Sequence, residues 1–379
     1  MTKVYFDNAA TTPISNDVIN IITQVMKNNF GNPSSTHSFG RDSRSLIEST
    51  RKSIANELNV KTSEIIFTSG GTESNNMIIK GAVETHKVER IITTKIEHKA
   101  VLVASESCKT KHNIDLVYIS VNNKGFPDLY ELEKLLSESD QKTLVSLMHI
   151  NNEIGTMIDL SKVGNLCKRF NALFHSDTVQ TIGHYKIDLS KVNVDFITCS
   201  AHKFHGPKGV GFTFVREKLK FNSLIEGGSQ ERGFRGGTES VHNIAGLNIA
   251  FLDSYKNLHK ESEKIKNLKK YFINELRKYF DFKINGCENK SSFTILNILL
   301  PINISKKPIL NFKLDIEGIA CSAGSACQSG SDKPSHVLSE ILNSDDMKNI
   351  SLRFSFSKLN KKEEVDKVVI FLKDFINKN

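Results

Sequence analysis

The sequence predicts an α/β protein, with a mostly parallel sheet between helices and a smaller α+β domain. Three observations carry that expectation. Strand-like and helix-like stretches alternate from Ile65 to Ile197, as in a sheet wound with crossover helices. The strand-like stretches are near-continuous apolar runs, the mark of strands covered on both faces. Polar residues gather just beyond the C-terminal ends of those runs, where an open α/β sheet binds its ligand.

Taken in order, residues 4–6 are extended, Asp7-Asn8-Ala9-Ala10-Thr11-Thr12-Pro13 is a polar turn, and 17–27 is helical. Residues 31–37, Gly-Asn-Pro-Ser-Ser-Thr-His, are too rich in turn formers to be regular. Leu46, Ile47, Ile54 and Leu58 mark an amphipathic helix over 41–58. Residues 65–67 then read as a strand, 68–71 as a turn and 72–80 as a helix. A helix opening after two glycines presents free backbone N–H groups and a positive dipole end, which suits a phosphate at Gly71 and Thr72. Neither Gly-x-Gly-x-x-Gly nor Gly-Lys-Ser/Thr is present, which disfavours dinucleotides and nucleoside triphosphates. Strands at 90–93, 116–119, 144–148 and 172–174 follow, with a helix at 129–137. Their ends place His98, Asn152, Asp177 and Gln180 where they can meet Lys203 at one sheet edge.

Val194, Phe196 and Ile197 form a buried strand leading into Ser200-Ala201-His202-Lys203, and Gly206-Pro207 ends regular structure. An amine at that junction, among cationic neighbours such as His202 and Lys208, would have a depressed pKa and could form a Schiff base. In extended chain Ser200 and His202 share one face and could grip one anion. A surface lysine after a core strand is the plain alternative. Residues 227–238 form a glycine-rich loop with two arginines, for which a flexible surface linker is the plain interpretation. A helix over 258–279 opens a second domain, with strands at 293–298 and 352–356. The last helix opens at Asn360, with Glu363 completing a capping box. The division expected is 14–256 for the large domain, and 1–13 with 257–379 for the small one.

Composition narrows the function classes. Hydrophobic residues at 39% and charged ones at 25% are ordinary for a globular protein. No apolar run spans a membrane and the first residues lack a signal peptide's apolar core, so a cytoplasmic protein without membrane contact is expected. Six cysteines without a Cys-x-x-Cys pair argue against a disulfide framework or a metal site. Cys327 lies in the Gly, Ser and Ala run 321–331, whose neighbours have no bulk to bury it. An exposed thiol on such a loop suits a nucleophile that visits two places. The net charge of +9 comes from lysines mixed with glutamates, a solvated surface and not a nucleic-acid face.

The motifs Asp-Asn-Ala-Ala-Thr-Thr-Pro (7–13), Gly-Asn-Pro-Ser-Ser (31–35), Gly-Gly-Thr-Glu-Ser-Asn-Asn (70–76), Glu-His-Lys (97–99), Asn-Asn-Glu-Ile-Gly (151–155), Asp177 with Gln180, Ser-Ala-His-Lys (200–203) and Gly-Ser-Ala-Cys (324–327) occur in that order. Together, with Arg353 beyond them, they resemble the cysteine desulfurases of the class V aminotransferases, fold-type-I pyridoxal phosphate enzymes with a seven-stranded-type sheet. The resemblance implies that Lys203 bonds pyridoxal phosphate and Asp177 pairs with its pyridine nitrogen. It implies that His98 stacks on the ring and shuttles thiol protons, and that Gln180 reaches the ring hydroxyl. Gly71, Thr72, Ser200 and His202 would hold the phosphate, with Thr238 contributed by the other subunit of a homodimer. Asn152, also at the cofactor, and Arg353 would hold the substrate carboxylate, Arg353 by a bidentate fork. Lys203, Cys327 and His98 would then turn L-cysteine into L-alanine and a Cys327 persulfide. The sulfur would pass to an acceptor protein, an iron–sulfur scaffold or a tRNA-thiolating enzyme.

The loop around Cys327 resembles the group with a long mobile loop, implying handover without an obligatory activator. The short stretch after Arg353, compared with scaffold-docking members, raises tRNA thiolation as the expected role. A selenocysteine lyase or an aminotransferase on the same fold, and a non-catalytic binding partner, are the alternatives.

Overall fold

The computed structural model describes residues 3–323 and 335–378. The first half runs β1 (Val4–Tyr5), α1 (Asn16–Asn28), α2 (Ser38–Leu58), β2 (Ile65–Thr68), α3 (Gly71–Glu84), β3 (Arg90–Thr93), α4 (Lys99–His112), β4 (Asp115–Tyr118) and α5 (Leu129–Ser137). It continues through β5 (Thr143–Ser146), α6 (Leu160–Arg169), β6 (Leu173–Asp177), β7 (Phe196–Ser200), β8 (Gly211–Val215) and α7 (Val241–Lys256). The remainder is α8 (Leu258–Arg277), β9 (Lys283–Ile284), β10 (Ile295–Asn303), α9 (Lys307–Ile316), β11 (Ile319–Ala320), α10 (His336–Ile341), β12 (Asn349–Ser355) and α11 (Lys362–Asn377).

Among the described residues, seven strands form one sheet in the order β2-β8-β7-β6-β5-β3-β4. Only β8 runs against its neighbours, pairing antiparallel with both β2 and β7. The C-terminal ends of β2, β3, β5, β6 and β7 therefore share one edge. Helix packing explains the apolar runs: one face meets Ile47, Ile54, Val163 and Phe251, the other Met77, Ile78, Val101 and Ala104. A separate core joins Val4 and Phe6 to Phe272 of α8, Ile298 and Leu300 of β10, Phe354 of β12 and Leu372 of α11.

Several expectations change. Helix α2 begins at Ser38, before residue 41, because the His37 ring Nδ1 accepts the Gly40 N–H at 3.3 Å. Strand β6 runs on to Asp177, since His175 and Asp177 continue the pairing with β7. The capping box of α11 falls one residue later: Glu364, not Glu363, accepts the Lys361 N–H at 2.9 Å. The glycine-rich stretch 227–238 is not a loose linker. Glu231 is buried, takes both Nη atoms of Arg51 at 2.8 and 2.9 Å, and also accepts the Phe67 N–H at 2.8 Å. Arg235 reaches Glu73 at 3.0 Å. These bonds tie the stretch to β2 and to the first turn of α3.

Candidate active site

Lysine 203 ends the short 3-10 turn Ala201–Lys203 that follows β7. That turn corrects one expectation: the chain is not extended from Ser200 to His202, so alternation cannot place both on one face. Ser200 is buried, whereas the His202 ring points its Nδ1 to Thr11 Oγ1 at 3.1 Å. Lys203 Nζ donates to the carbonyls of Ala9 and Ala10 at 2.7 and 2.8 Å. Gln180 Nε2 donates to the same Ala9 carbonyl at 3.0 Å. The N-terminal turn, remote in sequence, thus forms one wall around the lysine.

Asp177 closes β6 and is buried. Its Oδ2 accepts from Asn75 Nδ2 at 2.7 Å and its Oδ1 from the Val179 N–H at 3.0 Å. Asn75 is fixed in turn by Thr198, whose hydroxyl donates to Asn75 Oδ1 at 2.8 Å. Sequence reasoning gave Asn75 no role; its place one turn into α3, four residues after Gly71, is the signal that could have found it.

The glycine pair before α3 is dictated by space. Gly70 sits at φ +142, and a Cβ there would stand 3.3 Å from Ser200 Oγ. A Cβ on Gly71 would press on Val179 Cγ2 at 3.0 Å. Helix α3 therefore opens with its free N–H groups beside Ser200 and with Thr72 exposed. His98 caps α4, its Nδ1 accepting the Ala100 N–H at 3.1 Å.

Arg353 lies on β12, 2% exposed. Its Nη1 donates to the Asn152 carbonyl and its Nη2 to Asp7 Oδ1 and Ser322 Oγ, each at 2.8 Å. Its buried Nε has no partner among the described residues. Asn152 thereby meets Arg353 through its backbone. Thr238 is exposed, beyond Gly236 and Gly237. Cys327 lies outside the described residues. Cys108, Cys167, Cys199 and Cys321 are free, and burial pushes each thiol up, Cys321 to about 12.

Burial also pushes histidines down: His149, His175, His184 and His202 to about 4, and His86, His205 and His336 in the same direction. At His202 the charges of Lys203 and Lys208 add to it. For each, the folded pKa lies below the unfolded one. The fold then binds fewer protons than the unfolded chain from about pH 6.5 downward, so stability is lost as pH falls. The carboxyls of Glu97, Asp195, Glu239 and Glu261, raised by burial, act in the opposite sense but are fewer. Thermal melts should show a lower Tm at about pH 5 than at about pH 7; an unchanged or higher Tm contradicts this.

Among the described residues no helix is long and apolar enough to cross a membrane, and no group of three His, Cys, Asp or Glu could hold a metal ion. The sequence matches the Aminotransferase class-V family model over residues 4–368. It is 41% identical over 382 residues, covering 99% of this chain and 95% of the relative, to a protein named cysteine desulfurase IscS from Dictyoglomus turgidum. It is 35% identical to a solved NifS-like protein, with a TM-score of 0.91 and both chains covered in full. A structure described as SspA in complex with cysteine is 30% identical, with a TM-score of 0.83, covering 95% of this chain and 100% of that one.

Proposed function

The chain belongs to the class V aminotransferases and, within them, to the cysteine desulfurases, and on that premise we propose how its own residues release the sulfur of L-cysteine. Pyridoxal phosphate, when bound, supplies an electron sink for the substrate α-carbon. The residues present fit that group. The α3 N-terminus, with Gly70 and Gly71 leaving little room for a Cβ, and the buried Ser200 hydroxyl form a cradle for a phosphate. Thr72, in the first turn of α3, and a neutral His202, two residues after Ser200, are the further candidates to hold it. Asp177, held ready by Asn75, suits a protonated pyridine nitrogen; Gln180 and His98 would meet the ring hydroxyl and face.

Lys203 would hold the cofactor, and its amine, when free, would take the substrate α-proton as general base. Arg353 would offer its Nε, which has no partner among the described residues, to the substrate carboxylate, and Asn152 lies beside it. His98 moves protons between the two thiols. Cys327 thiolate forms a bond to the substrate sulfur as the carbon–sulfur bond breaks; the carbon takes a proton and leaves as L-alanine. The sulfane sulfur on Cys327 then passes to an acceptor protein, for iron–sulfur assembly or tRNA thiolation. A second copy of the chain would complete each site, which suits the exposed Thr238. The separate cores support a division between residues 14–256 and a unit of 1–13 with 257–379.

The observation that carries this reading is the shared Ala9 carbonyl, which gathers Lys203 and Gln180 at the edge where Asp177 ends its strand. Protein supplied with pyridoxal phosphate, L-cysteine and a reducing thiol should form alanine and sulfide in equal amounts. Turnover that requires a 2-oxo acid and releases no sulfide would make it an aminotransferase instead.

A further inference from the structure

A lysine that must both bond a cofactor and act as a base needs its backbone held as firmly as its side chain. The Ala201–Lys203 turn holds itself through one carbonyl only, that of Ala201. The chain leaves it through His205 at φ +67, a left-handed conformation costly for a residue with a Cβ. The Ala201 carbonyl accepts the N–H groups of Phe204 and Gly206 at 3.1 and 3.0 Å, and the two carbonyls that follow are gripped from outside. That of His202 accepts both the N–H and the hydroxyl of Thr12 at 2.9 Å. That of Lys203 accepts from His184 Nε2 at 3.1 Å.

His184 comes from the segment between β6 and β7. A carbonyl can only accept, so the bond fixes the tautomer with the proton on Nε2. The ring is seated edge-on to Phe293, centroids 6.4 Å apart and planes at 83°. Its proton-free Nδ1 follows from burial, which keeps the imidazole neutral near Lys203, with His205 and Lys358 adding to the effect. A cationic ring there would repel the lysine ammonium; a neutral one holds the peptide and adds no charge.

We propose that His184 is a positioning residue for Lys203: its Nε2–H fixes the Lys203 carbonyl, and so the direction in which the amine leaves the backbone. This rests on the reading of Lys203 as the cofactor-bonding lysine. His184→Phe keeps a ring against Phe293 and removes the donor; His184→Gln keeps a donor and removes the ring. In the holoenzyme, absorbance of the bound pyridoxal phosphate is titrated against pH, and kcat and KM for L-cysteine are measured. His184→Phe should move the pH midpoint by about half a unit or more and lower kcat about five- to tenfold, the scale of one neutral hydrogen bond, with KM within about twofold. His184→Gln should stay within about twofold of the parent. Should His184→Phe fail to fold in thermal melts, His184→Asn, whose amide falls short of the carbonyl, takes its place with the same expectation.

A donor-free variant matching the parent, or a Gln variant as impaired as it, overturns the proposal and leaves His184 as packing. If borohydride reduction and peptide mass place the cofactor on another lysine, the reading of Lys203 falls first and this one with it.

Discussion

Lys203→Ala should lower the formation of alanine and sulfide from L-cysteine by about a thousandfold or more, because one substitution removes the covalent anchor and the base together. The amine is already gathered by the Ala9 and Ala10 carbonyls at the edge where β6 and β7 end. Nothing else described at that edge is an amine so placed: Lys208 is exposed, and Arg353 is held by Asp7. Deuterium from the solvent should also no longer enter the α-carbon of recovered L-cysteine. A variant that retains a tenth of the parent turnover, or normal deuterium uptake, contradicts the assignment.

Cys327→Ser should abolish sulfide release to a similar degree yet leave deuterium uptake at the α-carbon near the parent rate. The two substitutions thus separate proton abstraction from sulfur removal. A serine hydroxyl neither ionises near neutral pH nor holds a sulfane sulfur. No described cysteine can stand in where burial keeps it a thiol: Cys321, the nearest in sequence, is pushed up to about 12. Full turnover by Cys327→Ser would require another sulfur acceptor in the site and would end the mechanism.

The sheet was legible because its strands are short apolar runs, and runs such as Ile65-Ile66-Phe67 leave little choice of structure. Helix α7 was not legible. Val241, Ile244, Ala245, Leu247, Ala250 and Phe251 are all buried, so no single stripe sets it apart. Strand β8 was hidden for another reason. Gly211, required because a Cβ would meet the Cys199 carbonyl at 2.2 Å, made its start look like the end of a turn.

At the site, residues that end strands could be placed, since strand ends converge by topology. Their supporters could not. Asn75, Thr12 and His184 act through contacts 102, 190 and 19 residues away in sequence, and no local pattern announces such partners. The misjudged linker has the same cause. Glycines suggested freedom at 227–238, but Arg51, which pins Glu231, lies 180 residues earlier.

The wall built by the N-terminal turn sets the order in which the protein can be made. β1 pairs with β11, the Ala9 N–H donates to Ser355 Oγ, and Asn8 donates to the Ser355 carbonyl. Residues 5–9 therefore wait for β11 and for Ser355, 346 residues beyond Ala9, before they settle. Contacts of such separation form late and slowly. Lys203 is synthesised midway through that interval, and the Ala9 and Ala10 carbonyls that receive its amine are fixed in place only once β11 and β12 have been made.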